Sequence, residues 1–185
     1  FGGMQGKTLE EVRDKYRGLL AEGREEMAIA LDERSGRPLF IFMAYDPRHD
    51  LLQRFYTVKP GDRGFHVLMG PPGQDPVPAL TFHAFRTIAR WIFRDPTVNR
   101  LVGEPDIRNR KVLARLVQTG FEFGSVVHLP HKTALMIYMS RERHQALQDG
   151  MPPPNGPVPL SDRAVKLHML VGRIGRKLGI YERNW

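Results

Sequence analysis

Cysteine is absent from all 185 residues. That one gap excludes disulfides, thiolate nucleophiles and cysteine-based zinc sites together, and it suits a cytoplasmic protein. No apolar run approaches the roughly 18–20 residues that a membrane span requires. The opening Phe1-Gly2-Gly3-Met4-Gln5-Gly6 lacks the basic stretch and apolar core of a signal peptide. The seven histidines never fall in HxH or HExxH spacing, so no metal is expected. Ser35, Ser125, Ser140 and Ser161 all stand outside a nucleophile-elbow context, which argues against a serine hydrolase.

What is present is ordinary for a globular chain: 41% apolar and 26% charged residues, at a length that suits one domain with a full core. The net charge of +8 points to an anionic partner or substrate. The arginines and lysines are scattered, and no zinc-finger spacing, RNP-like aromatic motif or glycine-rich phosphate fingerprint accompanies them, so nucleic acid is not the expected partner. A polyanionic small molecule accounts for the charge equally well, as does a merely solvated surface.

Along the chain, Thr8-Leu9-Glu10-Glu11 reads as a capping box opening an amphipathic helix over 8–21. Met27–Leu31 and Pro38–Tyr45 form a hairpin around the polar turn 32–37. Phe55–Val58 reads as a short strand, and Gly64–Met69 as a longer one stopped by Gly70-Pro71-Pro72-Gly73. Phe82, Phe85, Ile88, Ala89, Ile92 and Phe93 share a helical face that ends near Asp95-Pro96. A strand follows at 99–103, and a helix opens near Asn109 and buries Val112, Leu113, Leu116 and Val117. Gly120-Phe121 predicts a Schellman stop, and Phe121–Leu129 and Thr133–Met139 are the last strands. The order is that of a mixed α/β sheet with helices covering its faces. Met151 to Pro159 reads as a stiff proline-rich linker, after which Ser161 caps a helix striped with Leu167, Leu170, Val171, Ile174 and Leu178 among Arg163, Lys166, Arg173, Arg176 and Lys177. Such a basic amphipathic helix binds a membrane surface or acidic partner, or packs through its stripe on its own domain or on a second subunit.

Three clusters could carry chemistry. In Gly61-Asp62-Arg63-Gly64-Phe65-His66-Val67-Leu68-Met69-Gly70-Pro71, a strand histidine precedes a strand-to-helix loop able to turn backbone N–H groups toward an anion; His66 is a base or a satisfied structural residue. Val102 to Lys111 packs Glu104, Asp106, Arg108, Asn109, Arg110 and Lys111 into a strand–helix junction where Pro105 ends or splays the strand. Capping by Asp106 or Asn109 explains one of those residues but not the whole cluster. Leu129-Pro130-His131-Lys132-Thr133-Ala134 sets a His-Lys pair at a strand entrance, either an anion contact or an exposed turn.

These clusters, in this order, resemble the siderophore branch of the GNAT acyltransferases: the aerobactin-type N-hydroxylysine acetyltransferases, the mycobactin lysine N-acyltransferases and relatives acting on N-hydroxylated diamines. The matching text is Gly6 to Tyr16, Gly61 to Leu68, Glu104 to Asn109, Gly120-Phe121 and Leu129 to Leu135. The resemblance implies a GNAT-like, mixed and mostly antiparallel sheet with helices on both faces and splayed central strands. It implies a cytoplasmic enzyme that moves an acyl group from acyl-CoA, acetyl-CoA first among the donors, to an amine or N-hydroxyamine during hydroxamate siderophore biosynthesis for iron acquisition. His66 and Asp106 match the family's acid/base residues. Leu68, Gly70, Gly73, Gln74, Asn109, Arg110 and Lys111 would contact CoA, and Glu104, His131 and Lys132 the acceptor. The implied domains are an acyltransferase domain over 1–143, N-terminally incomplete and lacking the family's first strand, a linker over 144–160 and the basic helix over 161–185. The partner would be a small-molecule amine, with no nucleic acid, no stable membrane insertion and a homodimer through the C-terminal helix as one option. A proline-rich loop replaces the usual pyrophosphate-binding glycine motif. The incomplete start and the added helix also admit a degenerate CoA-binding or assembly module without catalysis.

Overall fold

The computed structural model describes residues 6–23, 25–73, 76–152 and 160–181. Helix α1 (Leu9–Glu22) starts at the expected capping box, with the Thr8 hydroxyl and Glu11 carboxylate each accepting from the other's backbone N–H. Strands β1 (Glu25–Leu31) and β2 (Pro38–Tyr45) pair antiparallel across a turn in which the Asp32 carboxylate accepts from the Arg34 and Ser35 backbone. Strand β3 (Asp62–Met69) pairs antiparallel with β2, and helix α2 (Leu80–Ile92) buries Ala84, Phe85, Ile88, Ala89 and Ile92. Then come β4 (Arg100–Gly103), α3 (Arg110–Gln118), β5 (Glu122–His128), β6 (Thr133–Ser140), α4 (Arg141–Gln148) and α5 (Asp162–Lys177). The strands lie in the order β1-β2-β3-β4-β6-β5, a six-stranded, mostly antiparallel sheet as anticipated.

Two compact units divide the chain, residues 1–101 and 102–185. In the first, Phe42 meets Trp91 edge-on at 5.0 Å and Phe65 meets Phe85 at 6.4 Å, so β2 and β3 share one aromatic core with α2. In the second, α3 buries Leu113, Leu116 and Val117. The helix stops as its sequence predicts: Phe121 N–H donates to Leu116 O, Gly120 N–H donates to Val117 O, and Gly120 takes the left-handed φ of 94°.

Three expectations need correction. Residues 55–58 form no strand. The chain there leaves a 3-10 turn at Leu51–Arg54, whose N-cap is the Asp50 carboxylate accepting from Leu52 N–H. The segment 144–160 is not all linker, because α4 runs through Gln148, started by the Ser140 hydroxyl accepting from Arg143 N–H. Polar residues with no apolar stripe hid that helix; its side chains anchor it instead, with Arg143 Nε donating to Gly120 O at 2.5 Å. Residues 153–159 of the expected linker, like Phe1-Gly2-Gly3, lie outside the described residues.

The third correction concerns α5. It does pack on its own unit, but not through the leucine–isoleucine stripe. The buried positions are Gly172 and Gly175, and the stripe faces outward. A side chain at 172 would collide with Thr133 Oγ1 and crowd His128. Glycine therefore lets the helix axis approach the β5–β6 hairpin, where Arg176 Nη1 donates to Leu129 O at 3.2 Å. His128 stacks on Tyr181 at 5.5 Å and lies 5.8 Å from His168. Small residues and polar anchors won the inward face because a closely approaching helix buries more of its own backbone.

Gly172→Val is therefore expected to loosen α5 by roughly 1–3 kcal/mol, read as faster amide hydrogen exchange confined to α5. A pH dependence follows from the same contact. Burial first, then the His168 and Arg176 charges, hold the His128 pKa below its ordinary value. The unfolded chain then binds a proton that the folded one resists, so this contribution to stability is complete above about pH 6.5 and declines as pH falls below it. The protection factors of the α5 amides, with exchange referred to the unprotected rate at each pH, should fall on acidification in the wild type, and His128→Phe should flatten that response.

Candidate active site

Within the first unit, the sequence around His66 builds a stacked pair. Residues 64 and 66 point to the same face of β3, and Gly64 lies opposite Tyr45 in the β2–β3 register. A Cβ at 64 would collide with the Tyr45 ring. Its absence lets that buried ring lie across the strand and stack on the His66 imidazole, 4.8 Å between centroids and 22° between planes. One glycine thus sets one aromatic ring, which sets the tilt of the candidate base. Beyond it on β3, Leu68 is half exposed. The strand closes with Gly70 N–H donating to Leu39 O at 2.8 Å, before a loop in which Gly73 takes a left-handed φ of 66°.

That loop has a partner that sequence reasoning missed. Arg37, from the β1–β2 turn, donates through Nη1 to Pro72 O at 2.8 Å and to Pro71 O at 3.3 Å. The contact joins residues 35 positions apart, and no local pattern announces it. Gln74 lies outside the described residues.

Asp62 is the other residue whose role the motif concealed. Its side chain is almost wholly buried, and its carboxylate accepts from Arg100 Nε and Nη2 at 2.8 Å each, from Lys59 N–H at 2.9 Å and from the Tyr56 hydroxyl at 3.2 Å. Four donors on one buried carboxylate make it an anchor for the strand rather than a reacting group.

In the second unit, three of the predicted residues converge. β4 ends at Gly103, and the following segment turns to pair with β6: Leu135 N–H donates to Pro105 O, Ile107 N–H donates to Thr133 O, and Asp106 bridges Ala134. The buried Glu104 carboxylate accepts from Lys132 Nζ at 3.1 Å. Asp106 accepts from Arg108 Nε at 2.9 Å, Arg108 Nη2 at 2.7 Å and Arg108 N–H at 2.8 Å. Burial acts to raise the Asp106 pKa, but the hydrogen bonds from Arg108 and the charges of Arg108 and Lys132 outweigh it and hold the carboxyl below its ordinary range. Asp106 is consequently a fixed anion at neutral pH.

The remaining predicted residues stand on the surface of this unit. Asn109 caps α3 by accepting from Val112 N–H at 3.2 Å. Arg110 donates to Leu160 O at 2.6 Å and faces Asp162 at 3.9 Å, so it tethers the start of α5. Lys111 and His131 are exposed. Among the described residues no cluster of three or more histidine or acidic side chains has metal-binding geometry.

Residues 1–129 match the family model described as the acetyltransferase (GNAT) domain, and the chain belongs to that family. Among individual proteins, it is 28% identical over 110 residues to the N-hydroxyputrescine acetyltransferase of Acinetobacter baumannii, which covers 58% of this chain and 51% of that protein. The chain thus spans about half the length of that curated relative. Its fold is similar to that of aminoglycoside acetyltransferase AAC(6')-Ib in complex with coenzyme A and kanamycin, at a TM-score of 0.68 and 22% identity over 78% of this chain and 83% of that one. Spermidine N-acetyltransferase of Vibrio cholerae, in complex with CoA and spermine, superposes with a TM-score of 0.59 and 10% identity over 75% and 79%.

If the Gly64 gap sets the Tyr45 ring, Gly64→Ala should displace it at a cost of about 1–3 kcal/mol. Thermal unfolding reads the loss, and Tyr45→Ala in the Gly64→Ala background should add less than it does alone. Additive losses would show that the ring and the gap are independent.

Proposed function

We propose that this chain carries an acyl-CoA-dependent N-acyltransferase that acylates a hydroxylated diamine or N-hydroxylysine, with acetyl-CoA as donor, in hydroxamate siderophore biosynthesis. Membership of the GNAT family supports the reaction class, and the likeness to the N-hydroxyputrescine enzyme supports the acceptor. In the reaction, the nitrogen lone pair forms a bond to the thioester carbonyl carbon, the nitrogen loses its proton, and the C–S bond breaks to release CoA as a thiol. A hydroxylamine nitrogen is far less basic than an alkyl amine. It meets the thioester already neutral at pH 7, so a base has only to collect the proton as the new bond forms.

His66 is assigned that task. The observation that selects it is the ion pair on the other candidate: Arg108 lowers the basicity of Asp106, whereas His66 presents an imidazole held by stacking on Tyr45. Asp106 then serves as a fixed negative charge that favours cationic character at the acceptor nitrogen, and it accepts a proton only when Arg108 withdraws. For the donor, Leu68, Gly70, Gly73 and Gln74 are assigned to the pantetheine–pyrophosphate arm, with Asn109 and Lys111 as further contacts. Arg110 joins them on releasing Leu160. Arg37 positions the Pro71-Pro72 carbonyls so that the loop keeps its shape. Glu104, His131 and Lys132 are assigned to the acceptor, with Lys132 and His131 toward a carboxylate where it carries one.

Thiol release from acetyl-CoA with N-hydroxyputrescine, N-hydroxycadaverine and N-hydroxylysine tests the reading, with putrescine as the comparison. Turnover should favour the hydroxylated acceptors, and His66→Ala should lower kcat by roughly 10²–10⁴ while the circular dichroism stays that of the folded chain. Turnover at the full rate in His66→Ala would reject the base. CoA binding without thiol release on any acceptor would favour a non-catalytic CoA-binding module.

A further inference from the structure

Helix α5 turns two unlike faces to its surroundings. Inward are Gly172 and Arg176, held on the β5–β6 hairpin as described, and Gly175, packed against Tyr181. Outward are Leu167, Leu170, Val171, Ile174 and Leu178, each between 44% and 60% exposed. At about 100° per residue these five fall within an arc of about 100°, and the stripe runs roughly 17 Å along the helix. Ile180, also exposed, extends it past the end. Lys166, Arg173 and Lys177 follow one edge of the stripe, and Arg163 stands at its start; all four are exposed. Asp162, at the first turn, is the only acidic residue on α5.

We infer that this face docks the protein on an anionic lipid surface. Five branched apolar side chains left in water on one helix are costly unless something covers them, and the covering partner has to meet the cations at the edge as well. An antiparallel two-fold pairing of α5 with α5 meets that requirement poorly, because it sets the edge carrying Lys166, Arg173 and Lys177 against the same edge of the second copy. The ridge is convex, as any single helix surface is, so a rigid partner needs a matching groove while acyl chains conform to it. An apolar face seated at the headgroup boundary with lysine and arginine at headgroup level is the arrangement of an in-plane amphipathic helix. Crossing is not implied: no described helix is long and apolar enough to span a membrane. The close packing at Gly172 and the Arg176 contact to Leu129 matter here, since they fix the roll of the helix and leave the stripe outward instead of letting it collapse onto the hairpin.

Co-sedimentation of the full chain with vesicles of phosphatidylcholine alone, and of phosphatidylcholine mixed with phosphatidylglycerol, tests this. Binding should favour the mixed vesicles by about tenfold or more and weaken as salt rises. The double variant Leu170→Asp/Ile174→Asp and the triple variant Lys166→Glu/Arg173→Glu/Lys177→Glu should each abolish that preference. Both alter exposed positions only, so the melting temperature and circular dichroism should stay at wild-type values, and amide exchange should show α5 still docked. Equal binding to both vesicle types, or none to either, overturns the inference. So does a dimer in light scattering that Leu170→Asp/Ile174→Asp dissociates, which would assign the stripe to a second copy.

Discussion

The buried Asp62–Arg100 pair is the constraint on which the first unit rests. Asp62 opens β3 and Arg100 opens β4, and the pair closes a connection of 38 residues that includes all of α2. With Tyr56 and Lys59 also donating to Asp62, the irregular loop ahead of β3 is tied to the same carboxylate. A one-residue slip of β3 would turn Asp62 to the opposite face and strand its charge. The register is thereby fixed at its first residue, and the Gly64–Tyr45–His66 arrangement follows from it two and four residues on. In this sense the electrostatic anchor precedes the aromatic one.

The second unit uses charge differently. Glu104 and Asp106 flank Pro105, where the end of β4 releases the chain, and each is met by a cation from another place in the sequence or from its own turn. Burial alone would push the Asp106 carboxyl toward the neutral form. At Asp106 the bidentate Arg108 contact reverses that tendency, which makes the residue a source of fixed charge. A strand–helix junction with a permanent anion and exposed cations on the next helix can orient a polar acceptor and an anionic donor without either being buried. The role proposed for Asp106 is a consequence of its local environment, and that proposed for His66 of its imidazole.

Much of the fold was readable in the chain itself. Thr8 and Glu11, the apolar periodicity of α2 and α3, and the Gly120-Phe121 stop are local signals whose physics closes within a few residues, and the structure repeats them. The Phe55–Val58 strand failed because Asp50 captures the backbone just ahead of it in a 3-10 turn. Helix α4 escaped notice because polar side chains and a cap, not a stripe, hold it. At the candidate site, the sequence marked His66, Glu104, Asp106 and Lys132 as chemistry-bearing. It left unmarked Arg37, whose partners are the Pro71-Pro72 carbonyls of the loop after β3, and Tyr45, whose partner His66 lies on the neighbouring strand.

α5 shows the boundary most clearly. Composition alone established that it would be a basic helix with an apolar stripe, since period and charge are properties of the chain. Which face would be buried was not determined there. Gly172 and Gly175 add nothing to an apolar stripe, yet Gly172 admits the Thr133 and His128 side chains of the hairpin, and Gly175 the Tyr181 ring, at distances that leucine forbids. The same holds at Gly64, where the missing atom matters only because Tyr45 lies opposite. By itself the sequence determined the elements, the family resemblance and the residues able to do chemistry, because those depend on neighbours in the chain. Only the tertiary structure decided how the His66 ring is held and which face of α5 remains open, because both depend on atoms brought close from far along the chain.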